Sequence, residues 1–418
     1  MEKAKEILSV VEKACAENDK KEVESSIGQL QQLLTEEEQE ISDIYSSAVL
    51  KSLETFQSRL RSTTVKAMIS SLRKIVEQNP TDKELKKDFA RALRFSINAI
   101  STKGMPSIME EYMTELEKLA NNNPDDVVIH EELALASQEI THYWRKRGDF
   151  SNLRSRMKKF RTLAEKFPDN EKIKLSLTKS LIVEIDSANK QDIAVVNELL
   201  DEIRGISQSI PMNKHLQLEW VHAYLKAMER TYEDPEDSLR WLKSMKEIVE
   251  KNKDENFDLA LAKGYLNVIA SIGKSNKKAL EENLDELEKL AESWKNNREM
   301  QTIYAQSLIA SLQIKGIEEF DETKEILNEF TDLIKDSPDN EDIIKMYIEA
   351  LLNIIAMLVQ EQKAEEIVPL LDRMDDLAGN YPGNEEIQNA NKSLQAFLAR
   401  VGFKRSKEKE DKNRVGYL

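Results

Sequence analysis

EKFPDNEKI, Glu165–Ile173, returns as KDSPDNEDI at Lys335–Ile343 and in looser form as GNYPGNEEI at Gly379–Ile387. Proline has no backbone N–H to continue a helix, and the residue before it is pushed out of the helical region. The Asp or Asn that follows can accept the first free N–H groups of a new helix. The phrase therefore reads as a helix stop followed at once by a helix start.

Taking each such proline as position zero, Pro80, Pro124, Pro168, Pro211, Pro338 and Pro382 mark junctions, and Glu36, Lys253 and Lys295 fill the gaps at steps of 42 to 44 residues. A constant step of this size is the signature of a repeat array. Side chains recur at fixed offsets as well. Position +5 is apolar in Ile41, Leu85, Ile129, Ile173, Leu216, Met300, Ile343 and Ile387, with Asp258 the exception. Position +12 is small in Ala48, Ala92, Ala136, Ser180, Ala223, Ser307 and Ala350, with Tyr265 and Leu394 as exceptions. Before the junction, −8 and −5 are apolar throughout, from Leu72 and Ile75 to Met374 and Leu377.

At about 100° per residue, +5, +9, +12 and +13 share one helical stripe, and −8, −5 and −4 share another. Each unit then holds two amphipathic helices separated by polar breaks such as KRGDFS (Lys146–Ser151) and GKSNKK (Gly273–Lys278). Such a hairpin cannot cover its own apolar faces, and stacking copies covers them. The expected fold is all-α, a right-handed α-solenoid of about nine helical hairpins plus a C-terminal capping helix, some nineteen helices from Glu2 to Ala399. One array is expected over 1–402, with no linker dividing it. The polar, locally basic tail 403–418 is expected to be disordered.

Composition agrees. In 418 residues there are only 11 Gly and 9 Pro, which favours long helices over strands and turns. The formal net charge is −16, and the tail's six Lys/Arg against three Asp/Glu leave the body near −19. Such a surface repels nucleic acid and anionic membrane, so neither is expected as a partner. The longest apolar run, Ala350–Val359, falls far short of the ~20 residues that span a bilayer. The first residues carry charge in every turn, unlike a signal peptide. Cys15 is the lone cysteine, so no disulfide or cysteine-zinc framework exists. A soluble protein of the reducing cytoplasm is the expectation.

The phrase "apolar–x–x–apolar–small, Pro-Asp-Asn, new helix" resembles the junction between tetratricopeptide repeats. Phe160 and Phe330 eight before the proline fit that pattern, as do Leu177 and Leu181 at +9 and +13, and the KRGDFS turn resembles the Gly-Asp-Tyr turn inside such a repeat. The period is longer than the family's 34, and its glycine slot at +10 holds Ala90, Ala134, Thr178 and Val221. HEAT-type repeats share the period but place a proline inside the first helix. The resemblance implies a protein-interaction scaffold whose first helices line a concave groove.

Chemistry for an enzyme is not found, and no cofactor or metal is expected. Gly273–Ser275 reads GKS, but Val268 stands where a phosphate loop needs glycine. HEELA at His130–Ala134 lacks the second histidine of a zinc-protease helix. His215 and His222 share a face but sit two turns apart, and His142 follows no ligand spacing. Trp220 falls on a core slot, whereas Trp144 and Trp241 fall outside the slots and are candidate interface residues.

The function that follows is a scaffold or adaptor binding a protein or peptide partner. The alternative is a regulatory or sensor subunit that binds a small effector. The candidate partner-binding residues are Lys87, Arg91 and Arg94, a basic stripe on one helix suited to an acidic segment, together with Lys179 and His222 on equivalent faces. Homo-oligomerisation through the open apolar ends is compatible with this pattern.

Overall fold

The computed structural model describes residues 2–34, 39–189, 191–231, 235–273 and 276–403, with Gln39 described in backbone only. The expected junction at Glu36, Lys274 and Ser275 of the GKS stretch, and the tail from 404 onward lie outside the described residues. Among those described there are nineteen α-helices and no strand. The chain groups into two compact units, 1–230 and 231–418.

The first unit holds α1 (Glu2–Ala16), α2 (Lys20–Leu33), α3 (Gln39–Phe56), α4 (Ser62–Gln78), α5 (Lys83–Ser101), α6 (Pro106–Asn122), α7 (Val127–Lys146), α8 (Phe150–Lys166), α9 (Glu171–Ser187), α10 (Ile193–Ser209) and α11 (Lys214–Arg230). The second holds α12 (Pro235–Val249), α13 (Glu255–Ile272), α14 (Lys277–Ser293), α15 (Arg298–Lys315), α16 (Phe320–Asp336), α17 (Glu341–Gln360), α18 (Ala364–Asn380) and α19 (Glu385–Arg400).

In each unit the odd helices pack on one another in series, α1 through α11 in the first and α13 through α19 in the second. Each even helix but α12 is wedged against the odd helices before and after it, and α12 packs on α13. Even helices do not pack closely on each other, apart from a light touch of α2 on α4. An odd row in continuous contact and an even row fanned open is the arrangement of an α-solenoid.

The repeated phrase does what its residues dictate. Phe167 ends α8 with a bond from its N–H to Ala164 O, and Pro168 stops further propagation. Asn170 caps α9, its Oδ1 accepting from Ile173 N–H at 2.9 Å. Asn213 and Asn297 cap in the same way, and Asp82 and Asp126 do so where aspartate replaces asparagine. In several of the asparagine caps Nδ2 does a second job. Asn170 donates to Glu131 on α7 at 3.0 Å, and Asn213 donates to Glu171 on α9 at 2.7 Å. Asn297 donates to Glu255 on α13, and Asn340, whose side chain makes no cap bond on α17, still reaches Thr302 on α15 at 3.3 Å. The cap of one repeat is thus also a tie to the repeat before it.

Two apparent exceptions to the repeat resolve in the structure. The turn joining α12 to α13 is one residue shorter than the others: Met245 stands nine residues before the N-cap Asp254, where Phe160 stands ten before Asn170. The slot assigned to Asp258 therefore belongs to Phe257, which is fully buried, and the small slot belongs to Gly264 rather than Tyr265. A Cβ on Gly264 would lie 2.9 Å from Met245 Cε and 3.1 Å from Leu242 Cδ1, so the close approach of α12 needs the missing side chain.

Helix α19 closes the second unit. Ile387, Leu394 and Leu398 are buried, while Asn391 donates to Asp375 at 3.2 Å and Gln388 to Ala378 O at 2.7 Å.

Candidate interaction surface

The core stripe of each odd helix faces the even helices, so the side chains half a turn away define the opposite face. In the first unit that face carries Lys87, Arg91, Arg94, Lys179 and His222. Lys87 pairs with Glu84 on its own helix at 2.7 Å. Arg91 pairs with Asp88 at 3.1 Å and lies 3.9 Å from Glu132 on α7. Arg94 donates to Glu132 at 2.5 Å, lies 3.6 Å from Glu139, and stacks over Phe95 at 4.0 Å. On α9, Lys179 sits 3.7 Å from Glu219 of α11, and the same carboxylate lies 3.5 Å from His222 Nδ1. Arg145 of α7 pairs with Asp186 of α9.

The structure thus brings these cations together with carboxylates, mostly from the next odd helix, into a cross-linked mixed-charge face. The pairs within one helix, Lys87–Glu84, Arg91–Asp88 and His222–Glu219, stand three residues apart, whereas the cross-helix partners stand most of a repeat away in sequence. Arg94 and Glu132 are 38 residues apart.

Glu139 lies at the bottom of this face. Burial pushes its carboxyl up to about 7, against the downward pull of the Arg94 guanidinium, and Oε2 has no partner among the described residues. Asp88 is also raised by burial, offset by its bonds to Ser46 and Arg91. His142 is depressed by desolvation and by the neighbouring Arg145 and Lys146 charges.

The even helices carry a second set of ties. Arg73 of α4 makes a two-pronged contact with Glu115 of α6 at 2.6 and 2.7 Å. Arg156 of α8 reaches Glu110 and Glu117 of α6, and Arg161 of α8 reaches Glu202 of α10 and Glu184 of α9. The Arg73–Glu115 and Lys159–Glu117 pairs are each 42 residues apart, and so are Asn213–Glu171 and Lys277–Glu319. The repeat step read from the prolines reappears as the step of the side-chain ties. Between the fanned even helices lie open clefts, such as one of about 830 Å³ walled by Ile334, Pro338, Tyr347, Leu377 and Tyr381 between α16 and α18.

Two expectations change. Trp144 is only 7% exposed, with Nε1 donating to Glu110 at 3.2 Å, and Trp241 is 2% exposed. Neither is an interface residue. Trp144 continues the core stripe of α7 beyond the slots counted in the sequence, and Trp241 stands one turn before Met245 on the core side of α12. His130 is buried as a structural group, its Nδ1 2.9 Å from Asp126 O and its ring 4.5 Å from that of Phe167. Among the described residues, no cluster of His, Cys, Asp or Glu could hold a metal ion, and no helix is long and apolar enough to cross a membrane.

No protein-family model and no curated protein matches the chain. Among solved structures, the crystal structure of an engineered protein is similar over 96% of this chain and 94% of that one, with a TM-score of 0.52 at 17% identity. This chain is an all-α repeat solenoid. A circular tandem repeat protein of novel repeat topology aligns over 96% of this chain and 97% of its own, with a TM-score of 0.33 at 14% identity. At such identities a likeness speaks to fold alone.

Proposed function

We propose that this chain is a non-enzymatic, cytoplasmic scaffold or adaptor of tetratricopeptide-like elongated repeats, which binds a protein or peptide partner along the exposed face of its odd helices. One observation carries the reading: within each unit the odd helices pack in unbroken series while the even helices fan apart. That geometry gives a long preformed surface on which weak contacts from successive repeats can add, with little ordering cost to the scaffold. The tetratricopeptide likeness draws support from the buried Phe160 and Phe330, and from Gly148 of the KRGDFS turn, whose φ of +68° favours glycine.

The mixed-charge face of the first unit alters the expected mode of binding. An acidic segment approaching Arg91, Arg94 or Lys179 has to displace Asp88, Glu132 or Glu219 first, so a partner carrying both signs of charge fits better than a purely acidic one. Purification of the chain from its source followed by mass spectrometry tests the proposal. A stoichiometric protein partner is expected, and a lone monomer carrying a bound metabolite overturns it.

A further inference from the structure

In a chain where a third of the residues are charged, three neighbouring helices have long stretches with no charge at all: Gly264–Gly273 in α13, Met300–Ile314 in α15 and Ala350–Gln360 in α17. These helices pack side by side, α13 on α15 and α15 on α17. Counting from the N-caps Asp254, Asn297 and Asn340 puts them in register. Twelve residues on stand Leu266, Ile309 and Leu352, an aliphatic row that is half-buried. Thirteen on stand Asn267, Ala310 and Asn353, and sixteen on stand Ala270, Gln313 and Ala356. Amides and small residues alternate across the helices in both rows. The same three positions in the first unit include Arg94 on α5, Glu139 on α7, Asp186 on α9, and Lys226 and Glu229 on α11.

The carboxamides of Asn267, Gln306, Gln313 and Asn353 make no hydrogen bond to any described residue. Elsewhere amides are used internally: Gln301 bonds Ala291 O, Gln217 bonds Ser207 O and Asn283 bonds Ala279 O. A carboxamide offers both donors and an acceptor, matching the N–H and C=O of an extended main chain. One turn earlier Lys263, paired with Glu299 at 2.7 Å, and Glu349 flank Gln306; over the Leu266–Ile309–Leu352 row itself a charged segment would lose hydration and meet no opposite charge.

We propose that this face docks an uncharged, extended segment of a partner protein. Its main chain is held by the four amides, and its alternate side chains rest on the Leu266–Ile309–Leu352 row. Packed helices lie about 8–10 Å apart, so crossing from Asn267 to Asn353 takes about 16–20 Å, or roughly six residues at about 3.3 Å each. The inference rests on the scaffold reading and adds to it the chemistry and length of the bound segment.

The test pans a phage-displayed library of random peptides of roughly ten residues on the full chain. Enriched peptides are then measured by fluorescence anisotropy on the parent and on Asn267→Asp/Asn353→Asp, with circular dichroism confirming that the double variant is folded. Expected are uncharged peptides whose affinity is insensitive to salt, falls at least about tenfold on the double variant, and is unchanged by Arg91→Ala. Charged peptides, or binding untouched by the double variant, overturn this inference and leave the scaffold reading standing. An absence of any enriched peptide overturns both. Self-association that the double variant abolishes overturns it too, by making a second copy the occupant.

Discussion

Replacing Glu139 by Gln removes a carboxyl that burial holds up at about 7 instead of its ordinary 4.5. A carboxyl raised by folding binds its proton more tightly in the native state than in the unfolded chain. Its contribution to stability is therefore full below about pH 4.5, declines through the interval between the two values, and is lost above about pH 7. One pKa unit corresponds to about 1.4 kcal/mol, so ionising Glu139 in place costs the native state about 3 kcal/mol by pH 8. The attraction of Arg94 is already contained in that raised value, since the guanidinium opposes the effect of burial. Glutamine keeps the shape and an acceptor for Arg94 without the charge. Thermal unfolding of the parent and Glu139→Gln across about pH 4.5 to about pH 8 should show similar stability at the acid end and a growing advantage for the variant toward the alkaline end. A difference that stays flat across that range, or a variant less stable at the alkaline end, would refute a buried, proton-binding Glu139.

Changes at three further positions probe the repeat itself. Asn170→Ala removes both the cap on α9 and the tie to Glu131, and urea unfolding should register a loss of about 1–2 kcal/mol. Asn170→Asp keeps the cap but sets a carboxylate against Glu131, so part of its loss should be recovered in high salt. Gly264→Val brings branched bulk against Met245 and Leu242 and should cost about 1–3 kcal/mol by the same measurement, more than Gly264→Ala, where only one carbon has to be accommodated. Phe160→Ala empties a fully buried slot of α8 and should cost about 3–5 kcal/mol, visible as a lowered midpoint in thermal unfolding.

The helices and their order were legible because proline, cap residue and apolar stripe act locally, within a few residues of one another. The α12–α13 junction hides its one-residue shift for the same reason. Asn252–Lys253–Asp254 has no proline, and only the buried Phe257 and the close approach at Gly264 reveal the shorter turn. The candidate surface was harder to read. Arg94 looks like a free cation on α5, and only stacking places Glu132 and Glu139 of α7 against it. The acidic partners were available in the sequence, but pairing them requires the offset between neighbouring helices, which a repeat period alone does not contain. Trp144 and Trp241 fall outside the repeated offsets because the core stripe of each helix runs further than those offsets.

The double duty of Asn170, Asn213 and Asn297 bears on how the array comes apart. Each of these side chains secures the first turn of its own helix and grips the helix of the preceding repeat, so losing one repeat weakens the start of the next. Nearest-neighbour coupling of this kind penalises a boundary between folded and unfolded repeats wherever it falls. Fraying one hairpin at a time is disfavoured, and melting in longer cooperative blocks takes its place. Stability is then a property of a stretch of array rather than of any single hairpin, and a shortened chain should lose more than the share of the repeats removed.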